Sequence, residues 1–279
     1  MRILVSNDDG IDSIGLHVLT RALCQLDGEH EIVVVAPDRE FSGAGASLGA
    51  LHLIQPEVSR GHIDNCPADE IWAVSGPPAL CVMFARLGAF GGPFDLVVAG
   101  INPGANVGRS VYHSGTIGAA LTARNGNVSG VAVSQSVDGF GVEGQGWDEA
   151  IADQHWESAA AIGAAVTQAL VDDLPSEPVV VNVNVPNIPL DEIVGWRHAE
   201  VGLLPPRAVA TAALEPVPGH DDRYRVNMSW GTKVDLDPAT DGGAVEHNHV
   251  AISYLSRLEH QERNDLAATD AALDAVLRG

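Results

Sequence analysis

Short apolar segments alternate with longer segments of helical periodicity along the chain up to Pro186. The short segments are rich in β-branched residues and apolar at nearly every position, as in strands of a parallel sheet that is buried on both faces. They predict strands at residues 2–6, 31–36, 71–75, 95–99, 131–134 and 179–183. The longer segments predict helices at residues 15–26, 79–87, 118–124 and 154–172. Right-handed crossovers between such strands give an α/β fold with a Rossmann-like three-layer α/β/α core.

The pattern changes after Pro186, where proline, glycine and charged residues interrupt the apolar segments. Strand-like segments follow at residues 224–230 and 250–255, and residues 261–277 have the spacing of an amphipathic helix. We therefore expect a Rossmann-like catalytic core over residues 1–186. Residues 187–279 are expected to form a smaller β-rich extension with a C-terminal helix that serves oligomerisation. The glycine-rich residues 138–146 predict a loop.

The net charge of the chain limits the classes of ligand that it can bind. The chain has 15 Lys and Arg residues against 37 Asp and Glu residues, a formal net charge of −22. Duplex nucleic acid is excluded as a partner on this basis, because binding it requires many basic side chains to neutralise phosphates. A small phosphate ligand remains compatible with this charge if a metal ion or a helix N-terminus supplies positive charge locally.

Composition also bears on location. No apolar segment approaches the roughly 18 residues that a membrane helix needs, and Asp8 and Asp9 precede any signal-peptide core. The three cysteines, Cys24, Cys66 and Cys81, are far apart in sequence and indicate neither a disulfide framework nor a zinc site. We expect a cytoplasmic protein with no membrane partner.

Polar clusters follow the predicted strands and should meet at one edge of the sheet. Asp8 and Asp9 directly follow the first strand, a position that suits either a capped turn or a cation site. Ser42 lies in a Gly- and Ser-rich loop after the second strand, and Asn102 follows the strand that ends at Ala99. One divalent ion held by these oxygens would polarise a phosphoryl group. The attacking oxygen is then either a metal-activated water or the carboxylate of Asp8.

The segment HSGT precedes the predicted helix at residues 118–124 and is typical of an N-terminal cap. Free N–H groups at such a position also bind anions, so Ser114, Gly115 and Thr116 are candidate phosphate ligands. Asn106 is a further candidate, because it follows Asn102 in the same loop. His113 is a candidate acid for the leaving oxygen, with packing or simple surface exposure as the alternative.

Six segments occur in the order and spacing of the survival protein SurE family, which the chain resembles most densely over residues 1–135. They are NDDG, APDREFSGAGASL, VSGPPALCV, GINPGANVG, HSGT and VNVNVP. The resemblance implies an α/β/α fold, one Mg²⁺ or Mn²⁺ ion per subunit, and hydrolysis of nucleoside monophosphates and sometimes of short polyphosphate. It also implies that Asp8, Asp9, Ser42 and Asn102 are the metal ligands, with Asp8 and Asp9 as the catalytic pair.

Several positions differ from the pattern typical of that family. Pro77 and Leu80 stand where relatives carry a hydroxyl and an acid, and His113 stands in place of a tyrosine. Leu121 and Thr122 replace a Glu-Gly pair. These changes leave the predicted ion site intact and alter its surroundings, on which the choice of substrate depends.

The main hypothesis is a divalent-metal-dependent phosphomonoesterase that hydrolyses nucleoside 5'- or 3'-monophosphates. One alternative is a nucleotide- or metabolite-binding module that keeps the ion site without turnover. Another is a phosphatase for a small non-nucleotide phosphoester. The extension and the tail helix predict a homodimer or a homotetramer.

Overall fold

A computed structural model describes residues 1–53, 55–138, 147–204 and 207–278. The strands are β1 (Arg2–Ser6), β2 (Glu31–Pro37), β3 (Val58–Arg60), β4 (Glu70–Val74), β5 (Leu96–Pro103), β6 (Ser129–Gln135), β7 (Val180–Val185), β8 (Gly195–His198), β9 (Arg207–Pro216), β10 (Tyr224–Lys233) and β11 (His249–Leu255). The helices are α1 (Ile14–Leu23), α2 (Pro78–Arg86), α3 (Gly115–Asn125), α4 (Trp147–Ala150), α5 (Trp156–Asp172), α6 (Asp241–Glu246) and α7 (Ala267–Arg278). Short 3₁₀ helices lie at Gly108–Tyr112 and Leu190–Glu192. The loop predicted at residues 138–146 lies outside the described residues except for its first position.

Nine strands form the central sheet in the order β3-β4-β2-β1-β5-β6-β7-β11-β8. The six strands from β4 to β7 are parallel, whereas β3 pairs antiparallel with β4, and β11 pairs antiparallel with β7. The order reverses its direction between β1 and β5, which are neighbours in the sheet. In open α/β sheets, such a reversal leaves a crevice at the carboxyl ends of the strands, where ligands bind.

Successive residues of each strand pack into opposite layers, as the period of a strand requires. Ile3 and Val5 join the core beneath α1 and α5, with Leu16 and Trp156. Leu4 faces the other side and joins the core with residues of α2 and α3. Both faces of the sheet are therefore covered, and the predicted three-layer α/β/α class is confirmed.

The predicted elements agree with the observed ones except at their ends. β1 covers the predicted residues 2–6, but β5 continues to Pro103 instead of ending at residue 99. It continues because Asn102 and Pro103 pair with β6 again after an irregularity in the register. Helix α3 begins at Gly115 rather than at residue 118, since the Ser114 side chain caps it at that point.

The region after Pro186 contributes to two sheets. Strands β8 and β11 extend the central sheet beyond β7, whereas β9 and β10 form a separate two-stranded hairpin. The strands predicted at residues 224–230 and 250–255 fall within β10 and β11, and the predicted tail helix overlaps α7. Among the helices of the described ranges, none combines the length and the hydropathy that crossing a bilayer requires.

Candidate active site

The loop between β1 and α1 is ordered by its own side chains. Asn7 is fully buried and donates from Nδ2 to the carbonyl oxygen of Gly10 at 2.9 Å and to Ser13 Oγ at 2.7 Å. Gly10 has a φ of +102°, and a Cβ there would lie 3.1 Å from the carbonyl carbon of Arg39. A residue without a side chain is therefore needed where this loop meets the loop after β2.

Asp8 is held by the first turn of α3. Its Oδ2 accepts a hydrogen bond from the Gly115 N–H at 3.1 Å, and its Oδ1 accepts one from the Thr116 hydroxyl. A Cβ on Gly115 would lie 2.7 Å from Asp8 Cβ, so only glycine allows this approach. Burial raises the pKa of Asp8, and the hydrogen bonds from Thr116 and Gly115 act in the opposite direction. The carboxylate is thus fixed in place, close to the positive end of a helix dipole.

The surroundings of Asp9 disfavour the charged form of its carboxyl group. Burial, the charge of Asp8 and the charge of Glu40 raise the pKa of Asp9 well above its usual range. Its Oδ2 is buried and accepts no hydrogen bond from any described residue. Arg39, in the loop after β2, pairs with Asp38 at 3.5 Å and stacks on the ring of Phe41. Asp9 therefore has no ion pair among the described residues to offset these effects.

Two strands flank β1 in the sheet, and Asn102 lies near the end of one of them, β5, whereas Ser42 lies in the loop after the other, β2. Asn102 belongs to the last part of β5, the strand that pairs with β1 up to Ser6 and Ala99. Its Nδ2 donates to the carbonyl oxygen of Gly104 at 2.6 Å, and Oδ1 is the atom of this side chain that can bind a cation. Ser42 is exposed in the loop after β2, where its hydroxyl is accessible to solvent.

The segment predicted to bind phosphate forms the N-terminus of α3. Ser114 Oγ accepts from the Ile117 N–H at 3.1 Å, while Gly115 and Thr116 donate to Asp8. His113 is exposed, and its carbonyl oxygen accepts from the Gly45 N–H at 2.9 Å, which joins the loop of Ser42 to this segment. The structure therefore brings Asp8, the Ser42 loop and the start of α3 together. In this arrangement the hydrogen-bond donors of Gly115 and Thr116 point at Asp8.

Asn106 is buried in a network of neutral side chains. Its Nδ2 donates to Ser134 Oγ at 2.8 Å, and its N–H donates to Asn184 Oδ1 at 2.7 Å. Its carbonyl oxygen accepts from Asn182 Nδ2 at 3.0 Å and from Asn184 Nδ2 at 3.2 Å. The network anchors the segment that follows Asn102 and the end of β5 to β6 and β7.

Three residues of the site were not identified from the sequence. Asn7 orders the acidic loop, Glu40 adds negative charge beside Asp9, and Asp241 holds the loop of Asn106 by accepting from the Gly108 N–H at 3.0 Å. The first two lie inside the NDDG and PDRE segments and could have been found there. Asp241 has no such signal, because its partner is distant in the chain.

The arrangement defines a class of protein: a doubly wound α/β protein with an acidic oxygen site at the reversal point of its sheet. An unpartnered buried carboxylate oxygen, a second fixed carboxylate and a neutral amide oxygen are the donors that a hard divalent cation prefers. The residues therefore fit Mg²⁺ or Mn²⁺. No group of three or more His, Cys, Asp or Glu side chains arranged to bind a metal occurs in the described part of the chain, so the fit relies on the neutral oxygens as well.

Comparisons with known proteins identify the family. The model of the family described as Survival protein SurE matches residues 3–204. The 5'-nucleotidase SurE of Haemophilus influenzae (strain PittGG) is 34% identical over 254 residues, which cover 91% of this chain and 90% of that protein. The 5'/3'-nucleotidase SurE of Erwinia tasmaniensis is 34% identical over 256 residues, with the same coverage of 91% and 90%. The crystal structure of the SurE protein from Aquifex aeolicus matches with a TM-score of 0.69 at 26% identity and covers 99% of both chains. The chain belongs to the SurE family, and the resemblance predicted from the motifs is confirmed.

Proposed function

We propose that this protein is a nucleotidase that hydrolyses nucleoside 5'- or 3'-monophosphates with the help of one divalent metal ion. The observation that carries the proposal is the pair Asp8 and Asp9 at the sheet reversal, where one carboxylate oxygen is buried without a partner. An unsatisfied buried charge costs stability, and such groups are concentrated at functional sites. The relatives named as 5'-nucleotidase and 5'/3'-nucleotidase support the same reaction class.

Asp8, Asp9, Asn102 and Ser42 would hold the ion, either Mg²⁺ or Mn²⁺. When bound, the ion would supply Lewis acidity toward a phosphoryl oxygen and offset negative charge in the transition state. A local cation is needed here because the chain has a net charge of −22 and the two carboxylates lie next to each other.

The phosphate group is proposed to lie against the start of α3, with Ser114, Gly115, Thr116 and Asn106 as its contacts. The positive end of the helix dipole favours an anion at this position. Because Gly115 and Thr116 already donate to Asp8, they have a second role as positioning groups for that carboxylate.

Water is the favoured nucleophile over Asp8. Both oxygens of Asp8 accept hydrogen bonds, which supports a fixed ligand rather than an attacking group. His113 is exposed next to Ser114 and is the proposed acid for the leaving oxygen. On this proposal His113→Gln slows hydrolysis of a nucleotide, whose leaving group needs a proton, but spares an aryl phosphate, whose leaving group does not.

Self-association as a homodimer or homotetramer is part of the proposal. A two-stranded hairpin is marginally stable alone in water, and β9 and β10 expose Leu214, Val226 and Met228. Helix α7 exposes Leu273, Val276 and Leu277. An apolar groove of about 740 Å³ between α5 and β11 is a further unpaired surface. Sedimentation equilibrium would measure the mass, and a monomer at all concentrations would contradict this part.

The deciding experiment is a phosphate-release screen with the purified full chain across nucleoside 5'- and 3'-monophosphates, short polyphosphate and an aryl phosphate. Mg²⁺, Mn²⁺ and chelator arms are run in parallel, with Asp9→Asn as the inactive control. We expect metal-dependent release from at least one nucleotide. Tight metal-dependent nucleotide binding by calorimetry without any phosphate release would instead establish a binding module. Release from the aryl phosphate but from no nucleotide would point to another phosphoester.

A further inference from the structure

Two cysteines lie near each other at the C-terminal end of α1, whereas the acidic loop of the site precedes the N-terminus of that helix. Cys24 is the residue that ends α1, and Cys66 lies in the connection between β3 and β4. The Cys66 side chain is close enough to Cys24 to raise the pKa of its thiol, and both side chains are half-buried against the same hydrophobic core. Their spacing in the sequence contains no sign of this pairing.

Further contacts hold the two segments together independently of the thiols. Arg21, one helical turn before Cys24, donates from Nη1 to the carbonyl oxygen of Asp64 at 3.4 Å. On the other side of Cys66, Asp69 Oδ2 accepts from the Ile32 N–H of β2 at 2.9 Å. The connection is thus fixed on both sides of Cys66, which keeps its thiol beside the end of α1.

We propose that Cys24 and Cys66 are a site of reversible oxidation, at which an intramolecular disulfide joins α1 to the connection between β3 and β4. The third cysteine is not part of the site: Cys81 belongs to α2 and is fully buried in the core. Both paired thiols are within reach of a small oxidant, since each is only half-buried. A disulfide here would close a long loop and restrict the unfolded chain.

The oxidant in the proposed step is a small disulfide such as oxidised glutathione. The thiolate of one cysteine attacks the glutathione disulfide and releases one glutathione thiolate. The thiolate of the second cysteine then attacks the protein sulfur of the mixed disulfide and releases the other. Two protein thiols and one glutathione disulfide thereby become one protein disulfide and two glutathione thiols, with both protons taken up by the leaving thiolates.

The order of attack follows from the surroundings of the two thiols. Burial, first, and the neighbouring Cys66 thiol raise the pKa of Cys24 to about 12. Because the thiolate is the nucleophile, Cys24 is a poor first attacker at neutral pH. The first attack is therefore assigned to Cys66, and Cys24 then resolves the mixed disulfide.

The test counts free thiols of the denatured full chain before and after treatment with oxidised glutathione. The reduced protein has three cysteines, and we expect the count to fall by two, with a linked Cys24–Cys66 peptide in the non-reducing digest. The thermal midpoint of the oxidised protein should rise by several degrees, and dithiothreitol should reverse both changes.

Cys81→Ala is the matched control and should still lose two thiols, whereas Cys66→Ser and Cys24→Ser should each lose none to an internal disulfide and show no shift of the midpoint. The two serine variants are independent, so one remains informative if the other does not fold. Persistence of three thiols, a stable glutathione adduct on Cys66, or a disulfide between two chains on a non-reducing gel would overturn the proposal.

Discussion

Two carboxylates with buried oxygen atoms, Asp241 and Asp9, have opposite surroundings in this molecule. Asp241 is fully buried and accepts from the N–H groups of Gly108 at 3.0 Å, Gly202 at 3.0 Å and Gly242 at 2.8 Å. Asp9 has a buried oxygen without a partner among the described residues and lies beside the charges of Asp8 and Glu40. A carboxylate whose oxygens are satisfied by the backbone connects parts of the fold. A carboxylate left unsatisfied destabilises the fold and remains available to a ligand.

Replacing each carboxylate by an amide should affect the enzymatic activity very differently at Asp9 and at Asp241. Asp9→Asn removes a charged ligand of the proposed ion, and we expect metal-dependent phosphate release to fall about a thousandfold. Asp241→Asn should leave the rate per folded molecule within about tenfold of the original, because Asp241 acts through the loop of Asn106 and not on the substrate. Initial rates at saturating metal measure both. A folded Asp241→Asn protein as inactive as Asp9→Asn would break the distinction.

For the free energy of unfolding the order should reverse, with Asp241 contributing more than Asp9. Asp241→Ala leaves the N–H groups of Gly108, Gly202 and Gly242 without this acceptor, and we expect the free energy of unfolding to fall by about 3 kcal/mol. Asp241→Asn keeps one acceptor oxygen and should lie between this variant and the original chain. Urea denaturation at neutral pH, followed by circular dichroism, gives the comparison. A loss below about 1 kcal/mol for the alanine variant would mean that water replaces the carboxylate easily.

The contrast between Asp9 and Asp241 also explains which parts of the site could be predicted from the sequence. Asp8 and Asp9 follow a buried strand directly, so local pattern and sheet geometry are enough to place them at the sheet edge. Asp241 has partners 133 and 39 residues away, and no periodicity encodes such a contact. Tertiary packing, not local preference, decides these pairings.

The fold shows the same division. Continuous apolar segments such as β1 and β2 were found from the sequence with ends correct to about one residue, since complete burial leaves a strong pattern. The position of β11 was not predicted, because its insertion between β7 and β8 depends on pairing with strands from two different parts of the chain. The proximity of Cys24 and Cys66 is likewise a product of tertiary packing.

Without a metal ion, the charged form of Asp9 should lower the free energy of unfolding. The pKa of Asp9 in the folded state is raised above its ordinary value of 3.8, so the folded protein binds a proton more readily than the unfolded chain does. Stability of the metal-free protein relative to Asp9→Asn is therefore unaffected below pH 3.8 and falls as the pH rises through the raised pKa. At neutral pH, Asp9→Asn should be more stable than the original chain by about 1 kcal/mol without metal.

Adding metal should reverse that order. At a hundred times its dissociation constant, Mn²⁺ should stabilise the original chain by about 2.7 kcal/mol and Asp9→Asn by much less. Thermal unfolding in chelator and in Mn²⁺ across the pH range measures both effects. If Asp9→Asn gains as much from Mn²⁺ as the original chain, Asp9 is not a ligand.

The smallest expected effect concerns the hydrogen bond that fixes Asp8. Thr116→Val removes the hydroxyl donor to Asp8, and we expect a loss of about 1 kcal/mol in unfolding free energy. The hydroxyl favours the charged carboxylate and so lowers the pKa of Asp8; without it, the pKa of Asp8 rises further. A smaller fraction of Asp8 is then ionised at a given acidic pH, so the acid limb of the activity profile should move to higher pH. Thr116→Ser keeps the hydroxyl and should leave the profile in place. If the pH–activity profiles of Thr116→Val and Thr116→Ser coincide, the Gly115 N–H alone holds Asp8. The contrast between the active site and Asp241 would then depend on Asp9 alone and not on Asp8 and Asp9 together.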